Sequence, residues 1–267
     1  MAGKEALTLV PARRMLRGAL GVAGALGVME VAGRAGLFDP QLLPLPSTVL
    51  ARTGGLVVNE EFLADFGATL TAWLEGLFIA VALAVPLGLV VGTLSWAGAA
   101  LQPIMEFLRP IPSVILIPLA VLVLQNDVRS KVAITAYASI WPVLINTIYG
   151  LREADPLAKE TLHSFGFGRL AVLRRVSLPS AAPFIATGIR LAASTGFVVA
   201  IGAELIGGGV NGIGIFLIHA GSGGGQTALM LATVVWAGAF GLVTNALLVR
   251  AERRAFPWHH ALAGERT

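Results

Sequence analysis

The sequence predicts an all-α membrane protein with six transmembrane helices. Of its 267 residues, 56% are hydrophobic and only 13% are charged, which is too apolar for a soluble domain of ordinary composition. A helix needs about 20 apolar residues to cross the hydrocarbon core of a bilayer. Residues 76–94, 132–151 and 226–249 are uncharged runs of that order. The lipid bilayer is therefore the predicted environment of this chain.

The amino-terminal segment carries several basic residues and then an apolar run at residues 18–29. Such a segment is typical of either a first transmembrane helix or a cleaved secretory signal. We favour a helix over about residues 16–38, because Glu30 and Arg34 are one helical turn apart near its outer end and can pair. Residues 39–66 contain prolines and acidic side chains and are predicted to lie outside the membrane, with Ser47 as a helix cap.

Small residues recur at every fourth position of the second predicted span. They are Ala72, Gly76, Ala80, Ala84, Gly88 and Gly92. A ridge of this kind lets two helix backbones approach closely, which favours helix association in lipid. The alternative is that alanine and glycine are simply frequent in this chain.

The third predicted span is irregular. Residues 95–110 are expected to form a short cytoplasmic connection, and residues 111–125 an apolar segment interrupted by Pro112 and Pro118. Two prolines in so short a segment predict a broken or tilted helix. Irregular backbone at membrane depth is tolerated where it lines a cavity, so this segment is a candidate for lining a pathway.

The longest polar stretch between apolar runs follows the fourth span, at residues 155–179. Asp155 is a predicted cap for a helix that begins at Pro156, and Gly166 is a predicted left-handed end of that helix. Beyond it, a second short helix is expected to carry Arg169, Arg174 and Arg175 until the chain straightens before Pro179.

The helix that begins at Pro156 is predicted to be amphipathic. Ala158, Leu162 and Phe165 fall at i, i+4 and i+7 and give it one apolar face. A helix with such a face needs a partner surface. The segment is therefore a candidate for docking another protein.

This segment resembles a motif of importer permeases of the ATP-binding-cassette (ABC) class. Their motif reads E-A-A, three residues, G, nine residues, I-x-L-P, and the same spacing is kept here by Glu160-Thr161-Leu162, Gly166 and Val176-Ser177-Leu178-Pro179. Thr161 and Leu162 stand in place of the two alanines, and Val176 in place of isoleucine. The resemblance extends over roughly residues 44–258 and is closest to the nitrate, sulfonate and taurine branch. It includes L-P-L-P-S-T-V-L at residues 43–50, V-P-L-G-L at 85–89, L-R-P-I-P at 108–112 and A-E-L at 203–205.

The resemblance implies a type I ABC importer permease fold with a cytoplasmic coupling-helix loop at residues 151–182. The implied core permease domain covers residues 67–250. Residues 1–66 would hold the first helix and an extracytoplasmic segment, and residues 251–267 a cytoplasmic tail. The implied docking residues are Asp155, Glu160, Leu162, Phe165, Gly166 and Arg169. For the arginines, simple anchoring at the inner membrane surface is an equally good explanation.

The implied partners are two cytoplasmic ATP-binding subunits, an extracytoplasmic solute-binding protein and a second copy of the permease, most simply as a homodimer. The distribution of positive charge predicts the orientation. With the amino terminus inside, 14 of the 19 Lys and Arg residues fall in predicted cytoplasmic parts. Arg129 and Lys131 are among the four outside, in a turn expected at residues 126–131. This bias predicts cytoplasmic termini, and the resemblance implies a multi-pass protein of the bacterial inner membrane.

Polar residues within the spans are candidates for a solute pathway. An ionisable group at membrane depth is costly and is by default a functional hypothesis. Glu204 is predicted either to line the pathway or to form an interhelical hydrogen bond, and the same alternatives hold for Asn146, Ser194 and Thr195. Arg190 is expected near the inner end of the fifth span, where its side chain can reach the interface.

The sequence lacks the motifs of several kinds of chemistry. The absence of cysteine excludes disulfides, thiolate metal sites and cysteine nucleophiles. No Walker A, H-E-x-x-H or G-x-S-x-G motif occurs, so we predict no catalytic residue, no metal and no cofactor. A G-x-G-x-x-G pattern begins at Gly207, but a long apolar span precedes it instead of a short strand, which argues against nucleotide binding. Basic residues in the cytoplasmic loops of a membrane protein are the usual reason for a net charge such as +4. We therefore predict no nucleic-acid partner.

The predicted function is that of the permease subunit of an ATP-driven importer, supplied with a small solute by a binding protein. The chain itself is not expected to be an enzyme, because a separate subunit would hydrolyse ATP. The branch resemblance implies a sulfonate, nitrate, a taurine-like compound or a thiamine-precursor pyrimidine. The alternative is an ion- or proton-coupled secondary transporter with Glu75 and Glu204 as protonation sites. An intramembrane enzyme is disfavoured, because no nucleophile–base pair can be assembled at membrane depth.

Overall fold

The computed structural model describes residues 3–222 and 226–257, with side chains described from residue 16 onwards. Almost all of these residues are helical, and the described part contains no strand. The α-helices are α1 (Gly3–Arg34), α2 (Pro46–Gly55), α3 (Glu60–Thr93), α4 (Ser95–Leu108), α5 (Ile117–Leu124), α6 (Asp127–Arg152), α7 (Pro156–Ser164), α8 (Arg169–Val172), α9 (Leu178–Gly207), α10 (Ile213–Ser222) and α11 (Thr227–Ala255). Short 3₁₀ turns cover Leu56–Val58 and Ser113–Leu116.

Five segments of the described residues are long and apolar enough to cross a membrane. They are Leu16–Arg34, Glu60–Thr93, Asp127–Arg152, Arg169–Gly207 and Thr227–Ala255. The pair formed by α4 and Ser113–Leu124 bends by 79° and supplies a sixth candidate if it counts as one broken span. The predicted all-α membrane fold is therefore confirmed, and cytoplasmic termini stay a prediction.

The third predicted span differs from the expectation at its beginning. Residues 95–108, expected as a connection, form the apolar helix α4, which continues through Pro103. Leu101, Ile104, Met105 and Leu108 fall at i, i+3, i+4 and i+7, the spacing of one apolar helix face. The chain turns only at the residues between Leu108 and Ser113. The expected break in the apolar segment is present, because a 3₁₀ turn precedes α5 and Gln125 ends it in a left-handed conformation at φ +48°.

The described residues divide into two compact units, and the first contains residues 3–63, 217–222 and 226–237. Here the predicted pair is present, with Arg34 Nη2 lying 2.7 Å from Glu30 Oε1. Ser47 does not cap α2 as predicted, because α2 begins one residue earlier, at Pro46. Instead Ser47 donates to the Glu30 carboxylate through its hydroxyl (2.9 Å) and its backbone N–H (3.1 Å). The Glu30 carboxylate of α1 thus accepts hydrogen bonds at the amino-terminal turn of α2, where a negative charge is favourable.

Among the described residues, the second unit contains 64–216 and 238–257. Its central helix is α6, the most buried of the candidate spans. The predicted small-residue ridge of α3 packs against α6. A Cβ atom added at Gly76 would lie 2.7 Å from Thr135 Cβ, and one at Gly88 would lie 2.7 Å from Thr147 Cβ. Ala80, between them, is fully buried. The ridge therefore allows close approach of two helix backbones, as predicted.

Helix α9 approaches α6 in the same way. A Cβ atom at Gly188 would lie 2.9 Å from the Pro142 carbonyl oxygen, and one at Gly196 would meet the Ser139 hydroxyl. On α6 itself, Gly150 faces Phe184 of α9 at a similar separation. Close packing against both α3 and α9 fixes α6 in the core of the second unit.

Candidate functional site

Helix α7 forms at the predicted docking segment and begins as predicted. Asp155 Oδ1 accepts a hydrogen bond from the Leu157 N–H at 2.9 Å, and Pro156 occupies the first position. Lys159 Nζ donates to the Leu151 carbonyl oxygen at 3.1 Å, within the last turn of α6. A cation is favourable there because the carbonyl end of a helix carries partial negative charge. Helix α7 is thus bonded directly to the end of α6.

Gly166 ends α7 in the left-handed conformation that the sequence predicted, with φ +80°. Its N–H donates to the His163 carbonyl oxygen at 2.9 Å, and the Phe167 N–H donates to the Leu162 carbonyl oxygen at 3.0 Å. This pair of bonds is a Schellman motif, which satisfies the last carbonyls of a helix. Glycine suits this position because a Cβ atom is strained at positive φ.

The apolar face predicted for α7 is divided in the structure. Ala158 and Leu162 are half-buried, whereas the side chain of Phe165 is 77% exposed. Phe165 is the residue that follows the last regular turn, so the helical spacing no longer sets its direction. Leu157 is 69% exposed as well. Two large apolar side chains, one on α7 and one just after it, therefore project from this chain without being covered by it.

The segment after α7 departs from the expectation at Pro179. The chain does not straighten before this proline but passes from α8 through a π-helical turn, Leu173–Ser177, into α9. Pro179 lies in the first turn of α9, where its missing N–H costs least. The π-helical turn changes the spacing of the backbone hydrogen bonds close to Pro179, which has no N–H to donate. Arg175 lies 4.7 Å above the ring of Phe167, a cation–π contact that fixes this turn against the end of α7.

A basic cleft of about 630 Å³ lies beside α7. Lys159, His163 and Arg169 line it, together with the end of α3. Arg169 is exposed, as is Glu160 on α7. The predicted docking residues therefore lie on one continuous segment, and most of them are accessible.

The four predicted pathway residues lie in different surroundings. Asn146 is half-buried on α6 and donates to a carbonyl one turn earlier in its own helix at 2.8 Å. Ser194 and Thr195 are exposed on α9, and Thr195 also bonds within its helix at 2.8 Å. Glu204 is fully buried. Exposure on this chain leaves Ser194 and Thr195 free to face either lipid or a second protein surface, and their pathway role stays a prediction.

Arg190 has an acidic partner. Its Nε lies 3.4 Å from Glu252 Oε2, and Thr187 donates to the other oxygen of that carboxylate at 2.8 Å. Glu252 belongs to the last turns of α11, so this pair joins α9 to α11. An ion pair lowers the cost of keeping Arg190 within a span.

Glu204 is the centre of a buried polar cluster in the second unit. Its carboxylate accepts a hydrogen bond from the Thr69 hydroxyl at 2.8 Å and lies 3.3 Å from Lys131 Nζ. The Lys131 side chain is 5% exposed and the Glu204 side chain 0%. Lys131 also donates to the Asn211 carbonyl oxygen at 2.7 Å. Helices α3, α6 and α9 all contribute side chains to this cluster.

The cluster holds the loop that leads into α10. The N–H groups of Gly212, Ile213 and Gly214 donate to Asp65, Thr69 and Glu204 respectively, at 2.8 to 2.9 Å. These are the first donors of α10, which have no partner within the helix. Gly212 has φ +143°, and a Cβ atom there would overlap the Glu204 carboxylate. Gly212, the last glycine of the rejected nucleotide pattern, thus leaves room for a buried carboxylate beside the backbone.

Sequence reasoning missed Asp65, Thr69 and Lys131 as members of this cluster. Lys131 was expected in an exposed turn, but the turn is shorter because Asn126 caps α6 and the helix begins at Asp127. Lys131 consequently lies one turn into α6 and points to Glu204. A lysine in the first turns of an apolar helix could have indicated a buried charge, but the sequence does not show which residue pairs with it.

Comparison with known proteins identifies the family. Residues 84–257 match the family described as the binding-protein-dependent transport system inner membrane component. The chain belongs to this family. It is a permease of the ABC transporter class, a multi-pass protein of the bacterial inner membrane, and not an enzyme in itself.

Similar permeases cover most of the chain. It is 30% identical over 221 residues to a probable ABC transporter permease protein of Brucella melitensis, which covers 81% of this chain and 87% of that protein. It is 30% identical over 186 residues to the bicarbonate transport system permease protein of Synechococcus elongatus, with 70% and 66% covered. It is 28% identical over 228 residues to the taurine transport system permease protein of Escherichia coli, with 84% and 82% covered.

Proposed function

We propose that this permease forms the transmembrane part of an ATP-driven importer and that α7 is the helix through which a separate ATPase moves it. The observation that carries the proposal is the geometry of α7. The helix is capped at both ends, bonded to the end of α6, and leaves Leu157 and Phe165 exposed. An exposed rigid helix with apolar side chains suits insertion into a groove of another protein.

The docking contact is proposed to use Asp155, Glu160, Leu162, Phe165, Gly166 and Arg169. Phe165 supplies the exposed apolar side chain, and Asp155, Leu162 and Gly166 hold the helix that presents it. Arg169 and the basic cleft beside α7 suit an acidic partner surface. Two ATP-binding subunits, one for each of two permease copies, would make the assembly symmetric.

Movement of α7 would be transmitted directly to the membrane-spanning helices. Lys159 bonds α7 to the last turn of α6, and α6 packs closely against α3 and α9. A push on α7 therefore acts on the central helix of the second unit and not on a free loop. Alternation between inward-open and outward-open states would follow from rocking of such units in a pair of permeases.

The solute is proposed to be a small anion or a compound with an anionic group. Similar permeases are named for bicarbonate and taurine, which both carry such a group. An extracytoplasmic binding protein would deliver the solute. Ser194 and Thr195, exposed on α9, are the hydroxyl groups that we place on the pathway, and Asn146 is the candidate on α6. For Glu204 we favour the interhelical role, because all its described partners belong to the buried cluster.

The experiment compares two glycine variants in the assembled transporter. Gly166→Val forces a β-branched residue into the left-handed region, at a cost of about 1–2 kcal/mol, and should lower uptake about tenfold while ATP hydrolysis continues. Gly168→Val is the matched control, because Gly168 has an extended conformation and open space around it. Equal uptake by both variants would contradict the docking role. Uptake that survives ATP depletion but collapses with a protonophore would instead identify a secondary transporter.

A further inference from the structure

The basic cleft beside α7 carries positive charge that this chain does not neutralise. Lys159, His163 and Arg169 line it, and no acid is among its lining residues in the described part of the chain. None of the three basic side chains forms an ion pair with a described residue. Lys159 has one bond to a backbone carbonyl, which leaves two of its three donors for a ligand.

The acids nearest in the sequence lie outside the cleft. Glu153 accepts a hydrogen bond from the hydroxyl of Tyr149, which does not line it. The Asp155 carboxylate is used by the Leu157 N–H at the start of α7. Glu160 is exposed, so water and salt screen its charge. The cleft therefore keeps a net positive charge and favours an anion.

The amino-terminal end of α4 strengthens this positive field. Leu94, Ser95 and Trp96 lie at that end and line the cleft. No described side chain caps the helix, and its first internal bond runs from the Gly98 N–H to the Leu94 carbonyl oxygen. The earlier N–H groups have no partner within the helix and carry partial positive charge. They are additional donors for an anion in the cleft.

A buried hydroxyl without a partner is an independent indication of a ligand. Ser177 lines the cleft and is only 7% exposed, and its hydroxyl forms no hydrogen bond with a described residue. Hydroxyls in helices often bond to the carbonyl one turn earlier, as Thr161 and Ser164 do on α7. Ser177 ends the π-helical turn, where the backbone spacing differs from that of an α-helix. Buried polar groups rarely lack a partner, so a ligand in the cleft is the expected one.

The arrangement of the donors suits a phosphate better than a carboxylate. They come from α4, α7, the start of α8 and the π-helical turn, and so reach the cleft from several sides. A phosphate is tetrahedral and presents oxygens in several directions, whereas the two oxygens of a carboxylate lie in one plane. Uncapped helix ends and basic side chains are common ligands of phosphate. At about 630 Å³ the cleft also has room for the group that carries the phosphate.

The cleft lies at the ends of two candidate spans, as the headgroups of membrane lipids do. Its lining includes the end of α3 and Ser177, the residue before α9. Trp96 and Leu170 also line it and are 70% and 68% exposed. Tryptophan is enriched at the membrane–water interface, and basic pockets between spans bind anionic headgroups. A phospholipid can therefore reach this cleft from the bilayer.

We propose that the basic cleft binds a phosphate group through Lys159, His163, Arg169, Ser177 and the amino-terminal end of α4. An anionic phospholipid headgroup and free phosphate share this chemistry. The bound phosphate would join α4 to the docking helix α7 and to the start of α9. The binding itself requires no ATPase, whereas an effect on transport through a firmer attachment of α7 rests on the proposed function.

The test is isothermal titration calorimetry of the purified, delipidated full-length permease in a maltoside detergent, which contains no phosphate. The probes are dihexanoylphosphatidylglycerol and inorganic phosphate, and dihexanoylglycerol is the neutral counterpart of the lipid. We expect saturable binding of a phosphate probe and none of dihexanoylglycerol. Arg169→Gln should raise the Kd about tenfold, the effect of one lost charge-assisted hydrogen bond.

Ser177→Ala separates a ligand contact from a structural role. It should raise the Kd about threefold, the effect of one lost neutral hydrogen bond. Its hydroxyl has no partner to lose in the free permease, so thermal unfolding without ligand should be unchanged. A lower unfolding temperature with an unchanged Kd would contradict the assigned contact.

Arg174→Gln is the matched control, because Arg174 is an exposed arginine of the π-helical turn that does not line the cleft. It should leave the Kd unchanged, and a loss equal to that of Arg169→Gln would overturn the proposal by showing a general attraction of anions. Lipid binding at least tenfold tighter than that of inorganic phosphate would identify the headgroup as the occupant, and equal binding would identify free phosphate.

Sodium acetate tests the alternative that the cleft receives an acidic side chain of a partner protein. Acetate that binds as tightly as phosphate, or a permease that binds neither phosphate probe saturably, would overturn the proposal. The assay contains neither ATPase nor binding protein, so its result is independent of whether uptake is ATP-driven.

Discussion

The ion pair between Lys131 and Glu204 allows a quantitative test of the buried cluster. Its atoms lie 3.3 Å apart, and both side chains are almost completely buried. Removing one partner from a buried pair leaves an uncompensated charge and costs about 3–5 kcal/mol. Lys131→Met leaves the Glu204 carboxylate with the Thr69 hydroxyl and the Gly214 N–H, so we expect the lower end of that range. Glu204→Gln leaves the Lys131 ammonium group with the Asn211 carbonyl oxygen as its remaining partner, so we expect a similar cost.

The double variant Lys131→Met with Glu204→Gln decides between charge pairing and simple packing. It removes both charges and nearly conserves volume, and such replacements of buried pairs are often close to neutral. We therefore expect the double variant to be more stable than either single variant, with a loss below about 1.5 kcal/mol. Thermal and denaturant unfolding of the purified permease measure this directly. A double variant as unstable as the sum of the two single variants would refute the reasoning.

An exposed pair in the same chain is the control for this experiment. Arg34 pairs with Glu30 at 2.7 Å, but the side chain of Arg34 is 68% exposed. Exposed ion pairs contribute little because water and salt screen them. Arg34→Met should consequently leave the unfolding transition nearly unchanged. The difference between the stability losses of Lys131→Met and Arg34→Met then measures the effect of burial and not the mere presence of a salt bridge.

Two further predictions concern packing in the second unit, and thermal unfolding tests both. Gly88→Ala puts a methyl group 2.7 Å from Thr147 Cβ and should cost about 1–3 kcal/mol, whereas Gly67→Ala, in the same helix with open space around it, should be neutral or stabilising. Equal effects would contradict close packing of α3 on α6. Trp73→Phe removes the indole N–H that donates to the Ala193 carbonyl at 2.8 Å, which should cost about 1–2 kcal/mol.

The features that sequence reasoning predicted correctly depend on short stretches of chain. A transmembrane helix is defined by the apolar character of one continuous segment, so five of the spans were found, whereas the helix at residues 95–108 was not. The caps of α7 are local in the same way. Asp155 bonds a residue two positions on, and Gly166 needs only its own backbone angle. The ridge on α3 was visible because small residues at helical spacing lie on one face whatever the partner.

The features that were missed depend on tertiary structure or on a balance between neighbouring elements. Lys131 and Glu204 are 73 positions apart, and only the packing of α6 on α9 brings them together. The position of Phe165 depends on where α7 stops being regular, which is the least predictable part of a helix. The chain does not straighten before Pro179 as predicted, because a π turn accommodates the missing N–H donor of this proline without ending the helix.

The two polar features of the permease are connected through one helix. At its carboxyl-terminal end, α6 receives the bond from Lys159 of α7, and at its amino-terminal end Lys131 reaches the Glu204 cluster. A helix of 26 residues is about 39 Å long, which is enough to cross the hydrocarbon core. Glycine contacts from α3 and α9 hold it along most of this length, so it resists bending despite Pro142. Displacement of α7 would therefore reach the loop at residues 211–214 through a single packed element, and the buried charges keep that loop attached to it.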